Sequence, residues 1–360
     1  MPANRQNEVP TIEGLPANSR PSSNKPFVSV VIPCYNEERY ILKTLNQLAD
    51  QYDNERYEIV IVDGRSEDRT RELIAQFQLT HPELKVVTVD NPARDIPVAL
   101  NLGIREARGQ IVARMDAHAT PSPGYIRRCV EVLAETKAGV VGMPCRIFPG
   151  GNSGLARVIA KAVSHPFGIG DARYRLQNGT ELLEAVDTVA FACFPKSLWE
   201  EIGGFNESLL TNEDYEFNFR VRSSGRQVVL DRSGHCDYFA RGSLSELAHQ
   251  YSRYGRWKAR MLRLHPTSIK LRHVVAPAFV LTLLTLIVWS LFWSGALALL
   301  GLIVVVYLAS ALSFGWQMMR SNQLDWRTWI LTPVVFATIH LTWGVSFLLG
   351  LFLPHRGAAN

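Results

Sequence analysis

The sequence lacks the two glycine-rich motifs by which many proteins hold phosphate groups. Neither GxGxxG nor GxxxxGKS/T occurs anywhere in its 360 residues. In dinucleotide-binding and P-loop proteins these loops let the backbone approach the phosphates closely. If the protein binds a nucleotide, other side chains must therefore clamp its phosphates.

Paired cysteines are absent as well. The five cysteines are scattered without a CxxC spacing, and their odd number leaves at least one unpaired. Closely spaced pairs are typical of metal and redox sites, and disulfides are typical of oxidising compartments. We therefore expect reduced, buried thiols in a protein that faces the cytoplasm. The five are Cys34, Cys129, Cys145, Cys193 and Cys236.

The N-terminal segment lacks the apolar run of a signal peptide. It is rich in proline, asparagine and serine instead. Such a composition cannot bury enough apolar surface to fold alone, so we expect residues 1–26 to form a disordered tail. The segment that follows is expected to stay in the cytosol.

Acidic residues are missing from Leu247 through Leu324, whereas seven basic residues crowd the start of that stretch. The formal net charge of the whole chain is only +5, from 38 basic and 33 acidic residues. A surplus this small and this local does not indicate a nucleic-acid partner. It predicts a basic helical region at 246–273 that lies at a membrane interface.

Three long hydrophobic runs follow, at 274–293, 295–316 and 328–353. Each is long enough to span the roughly 30 Å of a bilayer's hydrocarbon core. Buried helices of soluble domains carry a polar face, and these runs have none. The sequence thus predicts a membrane domain at 274–355 with about three transmembrane helices, the first two joined by a turn at Ser294-Gly295.

Charge also predicts the topology of these runs. The basic cluster before Val274 and the loop with Arg320 and Arg327 are expected on the cytoplasmic side. Three spans then place the C-terminus outside. Arg356 argues against that placement, which leaves a re-entrant or interfacial third segment as an alternative.

Upstream of these runs, residues 27–245 alternate short β-branched runs with amphipathic segments. The alternation is typical of βαβ units, which form a mostly parallel sheet flanked by helices. The predicted fold class is therefore α/β, followed by C-terminal transmembrane helices. The predicted strands are 28–32, 58–62, 85–89 and 110–115, and the predicted helices are 37–50, 67–79 and 96–107.

Polar side chains follow three of the predicted strands. Tyr35 and Glu37 come after the first strand, Asp63 after the second, and Asp116 and His118 after the fourth. In such sheets, ligands bind beyond the carboxyl ends of the strands. Clustered carboxylates repel one another unless cations or hydrogen-bond donors offset them, so their presence at one edge favours a ligand site.

Asp116 and His118 are two residues apart, which places their side chains on the same side of an extended segment. An oxygen and a nitrogen ligand in this arrangement suit a divalent ion that neutralises a diphosphate. Taken alone, the pattern is equally consistent with Asp116 capping the following turn and His118 lying on the surface.

Two further segments allow more than one interpretation. Glu213 and Asp214 open a helical stretch, where acidic residues are common because they complement the helix dipole. The segment 249–258 can be a basic amphipathic helix on the membrane surface, with or without a catalytic role.

Together, these segments resemble family 2 glycosyltransferases of the GT-A fold, and among them the ExoA-type enzymes of succinoglycan biosynthesis. The resemblance runs from about Val28 to the end of the chain. It implies a Rossmann-like GT-A catalytic domain at 27–245. Five segments carry it: VSVVIPCYNEERYI, IVDGRSEDRT, ALNLGIREARGQIVARMDAHA, TNEDYEFNFRVR and QYSRYGRWKAR.

The resemblance implies that the sheet edge binds the sugar donor. Pro33, Tyr35, Glu37 and Asp63 are expected at the nucleoside. Asp116 occupies the first position of the family's DxD-like motif, which meets the donor's ribose and metal. His118 stands where many relatives have the second Asp, and with Asp116 it is expected to hold Mn²⁺ or Mg²⁺, although imidazole suits Mn²⁺ better.

The remaining roles fall on two later segments. The resemblance aligns Asp214 with the family's proposed catalytic base, with Glu213 beside it. Gln250, Arg253 and Trp257 are similar to the family's QxxRW element, in which the arginine contacts the donor's diphosphate. Here three residues, 254–256, separate the arginine from the tryptophan.

The resemblance implies an inverting hexosyltransferase that uses a nucleotide sugar, in particular a UDP-sugar, and a lipid-linked acceptor in exopolysaccharide or cell-surface glycan biosynthesis. It further implies a multi-pass protein of the cytoplasmic (inner) membrane, with its catalytic domain facing the cytosol and other polysaccharide-assembly proteins as partners. Two alternatives are direct transfer to polyprenyl phosphate and a non-catalytic membrane scaffold that retains the GT-A domain.

Overall fold

The computed structural model describes residues 27–52, 56–176, 179–321 and 323–352. The predicted tail at 1–26, the end of the last hydrophobic run and Arg356 lie outside these residues. All five cysteines lie within them and are buried free thiols, as predicted.

The described residues divide into two compact units. The first comprises the described residues up to Pro144 together with Gly179–Glu207 and Phe217–Cys236. The second comprises the described residues of 145–178, then Ser208–Glu216 and the chain from Asp237 onward. Because the chain alternates between the units, the linear boundary at residue 245 does not coincide with this division.

Eleven strands and twelve α-helices occur in the described residues. The strands are β1 (Val28–Cys34), β2 (Tyr57–Asp63), β3 (Lys85–Asp90), β4 (Ile111–Arg114), β5 (Thr120–Pro121), β6 (Val140–Gly142), β7 (Cys145–Phe148), β8 (Leu183–Ala185), β9 (Cys193–Pro195), β10 (Val228–Asp231) and β11 (Cys236–Phe239). The helices are α1 (Ile41–Ala49), α2 (Thr70–Thr80), α3 (Ile96–Glu106), α4 (Tyr125–Thr136), α5 (Gly154–Ala162), α6 (Pro166–Ile169), α7 (Lys196–Glu201), α8 (Glu213–Ser223), α9 (Leu244–Leu264), α10 (Leu271–Trp289), α11 (Ser294–Arg320) and α12 (Thr332–Phe352).

The first unit is built on an eight-stranded sheet in the order β3-β2-β1-β4-β9-β6-β10-β8. The neighbours β3, β2, β1 and β4 all run parallel, as do β6 and β10. β9 runs antiparallel to both β4 and β6, and β8 runs antiparallel to β10. The predicted α/β class with a mostly parallel sheet is confirmed.

The central strands are apolar and buried on both faces, as parallel strands covered by helices must be. Every residue of β2 is buried, and so are nearly all residues of β1. Helix α3 packs directly onto them at Gly103. A Cβ atom at this position would lie 2.5 Å from Val31 Cγ1 and 2.7 Å from Val62 Cγ2, so the close approach requires glycine.

Two predicted helix starts are wrong. Helix α1 begins at Ile41 rather than at residue 37, and α2 begins at Thr70 rather than at residue 67. The preceding residues form two loops that hydrogen-bond to each other, which satisfies their backbone groups without a helix. This pairing depends on residues about thirty positions apart, as the 30-residue separation of Asn36 and Ser66 illustrates.

In the second unit, α9 packs along α12 through small residues. A Cβ atom at Gly255 would lie 2.4 Å from the carbonyl oxygen of Trp343, and one at Gly350 would lie 2.9 Å from Ala259 Cβ. Ser252 and Ser346 join the two helices by a hydroxyl hydrogen bond of 2.8 Å. The predicted basic helix is therefore also a packed element of this unit.

Three helical segments are long and apolar enough to cross a membrane: Leu271–Trp289, Ser294–Arg320 and Trp329–Phe352. Many of their apolar side chains face outward; Leu302 and Val305, for example, are 59% and 62% exposed. We call these segments the candidate spans. They confirm the C-terminal apolar helices of the predicted fold class.

The turn between the first two candidate spans differs from the prediction. Helix α10 ends at Trp289 and α11 already begins at Ser294, so the connection is 290–293 and Ser294-Gly295 forms the first turn of α11. The ring of Trp293 folds over Gly295, where a Cβ atom would lie only 2.2 Å from the ring. The glycine therefore accommodates an aromatic side chain rather than forming the turn.

Candidate active site

The polar residues that follow β1, β2 and β4 lie at one edge of the first unit's sheet. The three strands are adjacent and parallel, so their carboxyl ends open on the same side. This arrangement brings together Tyr35, Glu37, Asp63, Asp116 and His118, as the sequence predicts. Pro33 is the exception among the predicted donor residues of this unit, because it lies within β1 and pairs with Val62.

The loops after β1 and β2 are held together by reciprocal hydrogen bonds. The backbone N–H of Asn36 donates to Ser66 Oγ at 2.9 Å, and the N–H of Glu67 donates to Asn36 Oδ1 at 2.8 Å. The N–H of Glu37 donates to Thr70 Oγ1 at 2.8 Å. Asn36 adopts a left-handed φ of 53°, a conformation that asparagine tolerates better than most residues. The edge is thus preorganised by its own side chains.

Asp63 is the most deeply buried of the predicted donor residues, with 1% exposure. Its carboxylate accepts hydrogen bonds from Ser66 Oγ at 2.6 Å and from the Ser66 N–H. It also pairs with Arg71 Nε at 2.5 Å. These donors occupy both carboxylate oxygens of Asp63. The side chain therefore holds the loop in place and positions Arg71.

Tyr35 forms an exposed surface with a residue that the sequence analysis missed. The guanidinium of Arg94 lies 4.7 Å from the centroid of the Tyr35 ring and donates to its hydroxyl at 2.9 Å. Arg94 also pairs with Glu67 at 2.7 Å. Arg94 follows β3, so its position after a predicted strand is the sequence signal that identifies it.

Arginines offset much of the negative charge at this edge. Besides Arg71 and Arg94, Arg65 pairs with Asp90 at 3.0 Å. The hydrogen bond from Arg65 holds the pKa of Asp90 below its ordinary value, with a smaller contribution from the charge of Arg71. Cys34 lies just behind these acids, and burial, reinforced by the charges of Glu37 and Asp63, raises its pKa. The thiol is therefore protonated and inert.

Hydrogen bonds from helix α1 hold the loop after β4 in place. Thr44 is buried, and its hydroxyl lies within hydrogen-bonding distance of the carbonyl oxygens of Ala117 and Ala119, at 2.8 and 3.0 Å. Asp116 Oδ1 lies 3.4 Å from Arg114 Nη2. His118 Nδ1 lies 2.9 Å from Glu37 Oε1. Since an ionised carboxylate can only accept, Nδ1 carries the proton of this contact.

Two residues of this edge, Asp116 and His118, are the predicted metal ligands. Among the described residues, no three or more His, Cys, Asp or Glu side chains converge as a metal site. Mg²⁺ and related ions bind through one or two carboxylates, with substrate phosphates and water completing the shell. Asp116 and His118 fit a site that substrate phosphates and water complete. The contact of His118 with Glu37 is also typical of metal-ligating histidines.

Glu213 and Asp214 belong to the second unit and lie at the first residues of α8. Glu213 is buried and Asp214 is half-buried. The preceding Asn212 has a left-handed φ of 68°. Tyr215, which follows, donates its hydroxyl to the carbonyl oxygen of Ser268 at 3.1 Å. The segment that carries both acids is therefore held in a defined position.

A buried lysine adds to this support. Lys258 on α9 is 6% exposed, and its ammonium nitrogen lies 3.3 Å from the centroid of the Tyr215 ring. Next in the helix, Glu216 Oε1 lies 2.9 Å from His265 Nε2. The sequence analysis did not assign Lys258 or His265 to this segment, because only the tertiary packing brings α9 beside the start of α8.

The three α9 residues predicted to bind the donor have separate surroundings within the second unit. Arg253 Nη2 donates to Thr211 Oγ1 at 2.9 Å, which places it beside the loop that leads to Asp214. The side-chain amide of Gln250 donates instead to the hydroxyls of Tyr238 and Tyr254, at 3.0 and 3.1 Å. Trp257 is half-buried, and Arg260 stacks on its ring at 5.4 Å. Of these hydrogen bonds, only the one from Arg253 reaches the loop before Asp214.

Comparison with known proteins decides the family. Residues 29–203 match the model of the family described as Glycosyl transferase family 2. The chain therefore carries a family 2 glycosyltransferase domain. The matched region contains the whole sheet edge from Pro33 to His118. The segment with Glu213 and Asp214 and helix α9 lie beyond it.

Two curated relatives match a longer part of the chain than the family model does. The chain is 27% identical over 331 residues to the succinoglycan biosynthesis protein ExoA of Rhizobium meliloti, covering 88% of this chain and 93% of the relative. It is 29% identical over 245 residues to a dolichyl N-acetyl-α-D-glucosaminyl phosphate 3-β-D-2,3-diacetamido-2,3-dideoxy-β-D-glucuronosyltransferase of Methanococcus voltae, covering 66% of this chain and 74% of the relative. The predicted likeness to ExoA-type enzymes is confirmed.

A solved structure shows the fold of the glycosyltransferase. The mannosyltransferase of Pyrobaculum calidifontis, in complex with GDP-Man and Mn²⁺, superposes with a TM-score of 0.60 at 20% identity. The match covers 89% of this chain and 87% of that one. The predicted GT-A fold is confirmed.

Proposed function

We propose that the protein is a membrane-embedded, inverting glycosyltransferase that transfers a hexose from a UDP-sugar to a lipid-linked acceptor. One observation carries the proposal. The sheet edge of a family 2 domain presents Glu37, Asp116, His118 and several arginines, in a chain that also has three candidate spans. Such a chain combines chemistry suited to a nucleotide sugar with a hydrophobic region suited to a lipid acceptor.

The nucleoside of the donor is assigned to the loops after β1 and β2. The ring of Tyr35, already stacked with Arg94, offers a flat surface to a base. Glu37 and Asp63 complete the nucleoside contacts in this proposal. A nucleoside diphosphate carries negative charge, and the arginines at the edge provide compensating positive charge.

The diphosphate is assigned to a divalent metal and to three residues of α9. Asp116 and His118 would hold the ion, which would supply positive charge where the leaving group develops negative charge. Mn²⁺ is preferred over Mg²⁺ because imidazole is a more natural ligand for it. Arg253, Gln250 and Trp257 are assigned to the same leaving group, as the family's QxxRW element suggests.

Asp214 is assigned as the catalytic base, with Glu213 beside it. Its carboxylate takes the proton from an acceptor hydroxyl as the hydroxyl oxygen forms a bond to the anomeric carbon. The bond between that carbon and the diphosphate oxygen breaks, and the electron pair leaves with the nucleoside diphosphate. Attack opposite the leaving group inverts the anomeric configuration.

The acceptor is assigned to the membrane. The curated relative from Methanococcus voltae is named for a dolichyl phosphate-linked acceptor, and the relative from Rhizobium meliloti is named for succinoglycan biosynthesis. The first name supports a lipid-linked acceptor, and the second supports a polysaccharide product. The proposal places this synthesis in the cytoplasmic (inner) membrane, with the catalytic domain in the cytosol. Other polysaccharide-assembly proteins are then expected partners, and direct transfer to polyprenyl phosphate is the alternative.

The test is release of nucleoside diphosphate by detergent-solubilised protein across a panel of nucleotide sugars, with Mn²⁺ and a membrane lipid extract. We expect release from one donor, with the labelled sugar recovered in an extended lipid-linked saccharide. A polyprenyl-monophosphate sugar as product would replace the proposal with its alternative. Donor binding without release or transfer in the presence of that extract would favour the scaffold.

A further inference from the structure

A cluster of donor groups in the second unit has no role in the function proposed so far. Its centre is Arg175, at the end of a short helical turn after α6. The guanidinium lies 5.4 Å from the centroid of the Tyr174 ring and 5.8 Å from that of Tyr238. Within the described residues no carboxylate pairs with it and no acceptor is hydrogen-bonded to it. We call Arg175 and its tyrosine neighbours the Arg175 cluster. Tyr174 and Tyr238 contact the guanidinium, Gln250 links Tyr238 to Tyr254, and the Tyr251 ring lies 5.6 Å from that of Tyr254.

The tyrosines of the cluster are arranged as donors. Gln250 donates its amide hydrogens to the hydroxyl oxygens of Tyr238 and Tyr254. Each hydroxyl already accepts a hydrogen bond, so its own hydrogen remains to be donated. Burial also raises the pKa of Tyr254 and raises that of Tyr251 to about 12, so both remain protonated at neutral pH.

A permanent positive charge in the same cluster as tyrosine hydroxyl donors fits an anion. The guanidinium fork matches the geometry of phosphate and carboxylate oxygens, and a charge-assisted hydrogen bond is about twice as strong as a neutral one. The cation–π contacts of Arg175 use the faces of the rings and leave the N–H groups of the fork for a ligand. The cluster thus has the composition of a phosphate site.

The segment that leads to Arg175 is packed against the candidate spans. The ring of Phe167 lies 4.9 Å from Phe314 and 4.9 Å from Phe336, measured between centroids. His340 Nε2 contacts the carbonyl oxygen of Phe167 at 2.7 Å. At the start of α10, Asp171 pairs with Arg272 at 2.7 Å. Arg175 follows within four residues of this ion pair and is therefore anchored close to the first candidate span.

The cluster is also close to the predicted catalytic base. Tyr254 directly follows Arg253 on α9, and Arg253 Nη2 donates to Thr211 Oγ1 at 2.9 Å, three residues before Asp214. Asp214 and Tyr174 belong to the same unit. An anion held by the cluster would therefore lie on the acceptor side of the chemistry, near both the base and the candidate spans.

We propose that the Arg175 cluster binds a phosphate group, and that this phosphate is the one joining the acceptor saccharide to its lipid. The second part rests on the proposed function. The same phosphate chemistry is present in the nucleoside diphosphate of the donor. The packing of 165–175 against the candidate spans favours the lipid as the source.

The test is a binding measurement that needs no turnover. Full-length protein in detergent micelles is titrated with a polyprenyl phosphate, with the matching polyprenol and with UDP plus Mn²⁺, and binding is followed by tryptophan fluorescence. The unsubstituted protein should bind the phosphate at least tenfold more tightly than the alcohol. Arg175→Gln should weaken binding of the lipid phosphate by about 10- to 100-fold, the value of a charge-assisted hydrogen bond, and change UDP binding less than twofold.

Two further variants make the test specific. Arg157→Gln removes one positive charge from the same unit, where it pairs with Asp325, and should leave lipid phosphate binding unchanged. Tyr254→Phe removes one hydroxyl but keeps the ring, so it should fold and weaken lipid phosphate binding several-fold. It also keeps the site testable if Arg175→Gln does not fold.

Two results would overturn the inference. Equal binding of lipid phosphate by Arg175→Gln, Tyr254→Phe and the unsubstituted protein would show that the cluster binds no phosphate. Loss of UDP binding, with lipid phosphate binding retained, would assign the cluster to the donor. Failure of the proposed function would look different, because it would abolish sugar transfer while lipid phosphate binding still depended on Arg175.

Discussion

His118 Nδ1 lies 2.9 Å from Glu37 Oε1, although the two residues are 81 positions apart. They follow the neighbouring parallel strands β1 and β4, so the register of the sheet brings them together. A carboxylate at one ring nitrogen fixes the orientation of the imidazole and increases the basicity of the other nitrogen. The contact therefore supports the proposal that His118 is a metal ligand.

Glu37→Gln should raise the metal concentration needed for half-maximal activity by about 10- to 100-fold, the usual cost of losing such a partner. The amide can still accept a hydrogen bond but has lost the negative charge. The measurement is nucleoside-diphosphate release as a function of Mn²⁺ concentration. Glu72→Gln is the control, since Glu72 is exposed and forms an ion pair with the neighbouring Arg69. Identical metal curves for both variants would remove Glu37 from the metal site.

Thr44→Val should disturb the same site indirectly. The substitution keeps the side-chain shape but removes the hydroxyl that contacts the carbonyl oxygens of Ala117 and Ala119. Leaving buried carbonyl groups unsatisfied costs about 1–3 kcal/mol, so the loop that carries Asp116 and His118 should loosen. We expect a higher KM for the donor and a higher metal requirement, and Thr44→Ser should restore both. A loss of thermal stability without any change in KM or metal requirement would limit Thr44 to a structural role.

Glu58 should make the first unit's stability depend on pH. Its buried carboxylate accepts hydrogen bonds from Ser29 Oγ, Lys85 Nζ and the N–H of Arg108. Burial alone would raise the pKa of Glu58, but these hydrogen bonds outweigh it and leave the pKa below its ordinary value. A lowered folded-state pKa stabilises the protein above the unfolded-state value of about 4.3, and this contribution is lost as the pH falls through the folded-state value.

Glu58→Gln should therefore lower the melting temperature at pH 7, through a loss of about 1–3 kcal/mol. The difference from the unsubstituted protein should shrink as the pH is lowered below about 4. Thermal unfolding at several pH values checks this. Glu201→Gln is the control, because Glu201 is an exposed partner of Arg226. A difference that stays constant across the pH range would rule out the ionisation of Glu58 as its origin.

Gly255→Ala should separate α9 from α12. A Cβ atom there would lie 2.4 Å from the carbonyl oxygen of Trp343 and 3.0 Å from the backbone nitrogen of Phe347, and backbone atoms cannot move aside cheaply. We expect a loss of about 1–3 kcal/mol, measured as a lower melting temperature in detergent. Gly301→Ala is the matched control, since among the described residues no atom beyond its chain neighbours and its own helix backbone lies within 4 Å of its Cβ position, and alanine favours a helix by up to about 1 kcal/mol. Equal stability of both variants would contradict the close packing of the two helices.

The central strands could be predicted from sequence because their apolar runs are continuous and bounded by polar residues. The same pattern located the residues at the strand ends, and hence most of the candidate site. The starts of α1 and α2 could not be predicted, because hydrogen bonds such as that between Asn36 and Ser66 join distant residues. Ser294-Gly295 has the composition of a turn, yet its conformation is decided by the ring of Trp293.

Arginines were the residues that sequence reasoning missed. Arg94 could have been found, because it follows a predicted strand. Arg175 could not, since nothing in its local sequence indicates that it will stack on Tyr238, more than sixty positions away, or share a cluster with Tyr254. Lys258 likewise lies in a basic run that indicates a solvated surface, whereas the structure buries it against Tyr215.

The most direct test of the account compares Asp214→Asn with the unsubstituted enzyme, using the donor that supports transfer. The account predicts that kcat falls by about 10²- to 10⁴-fold, the usual contribution of a general base, while binding of the donor with Mn²⁺ is unchanged. Asp116→Ala should instead weaken binding of the donor and the metal together. Near-normal turnover by Asp214→Asn would contradict the assignment of the base, and with it the proposed mechanism.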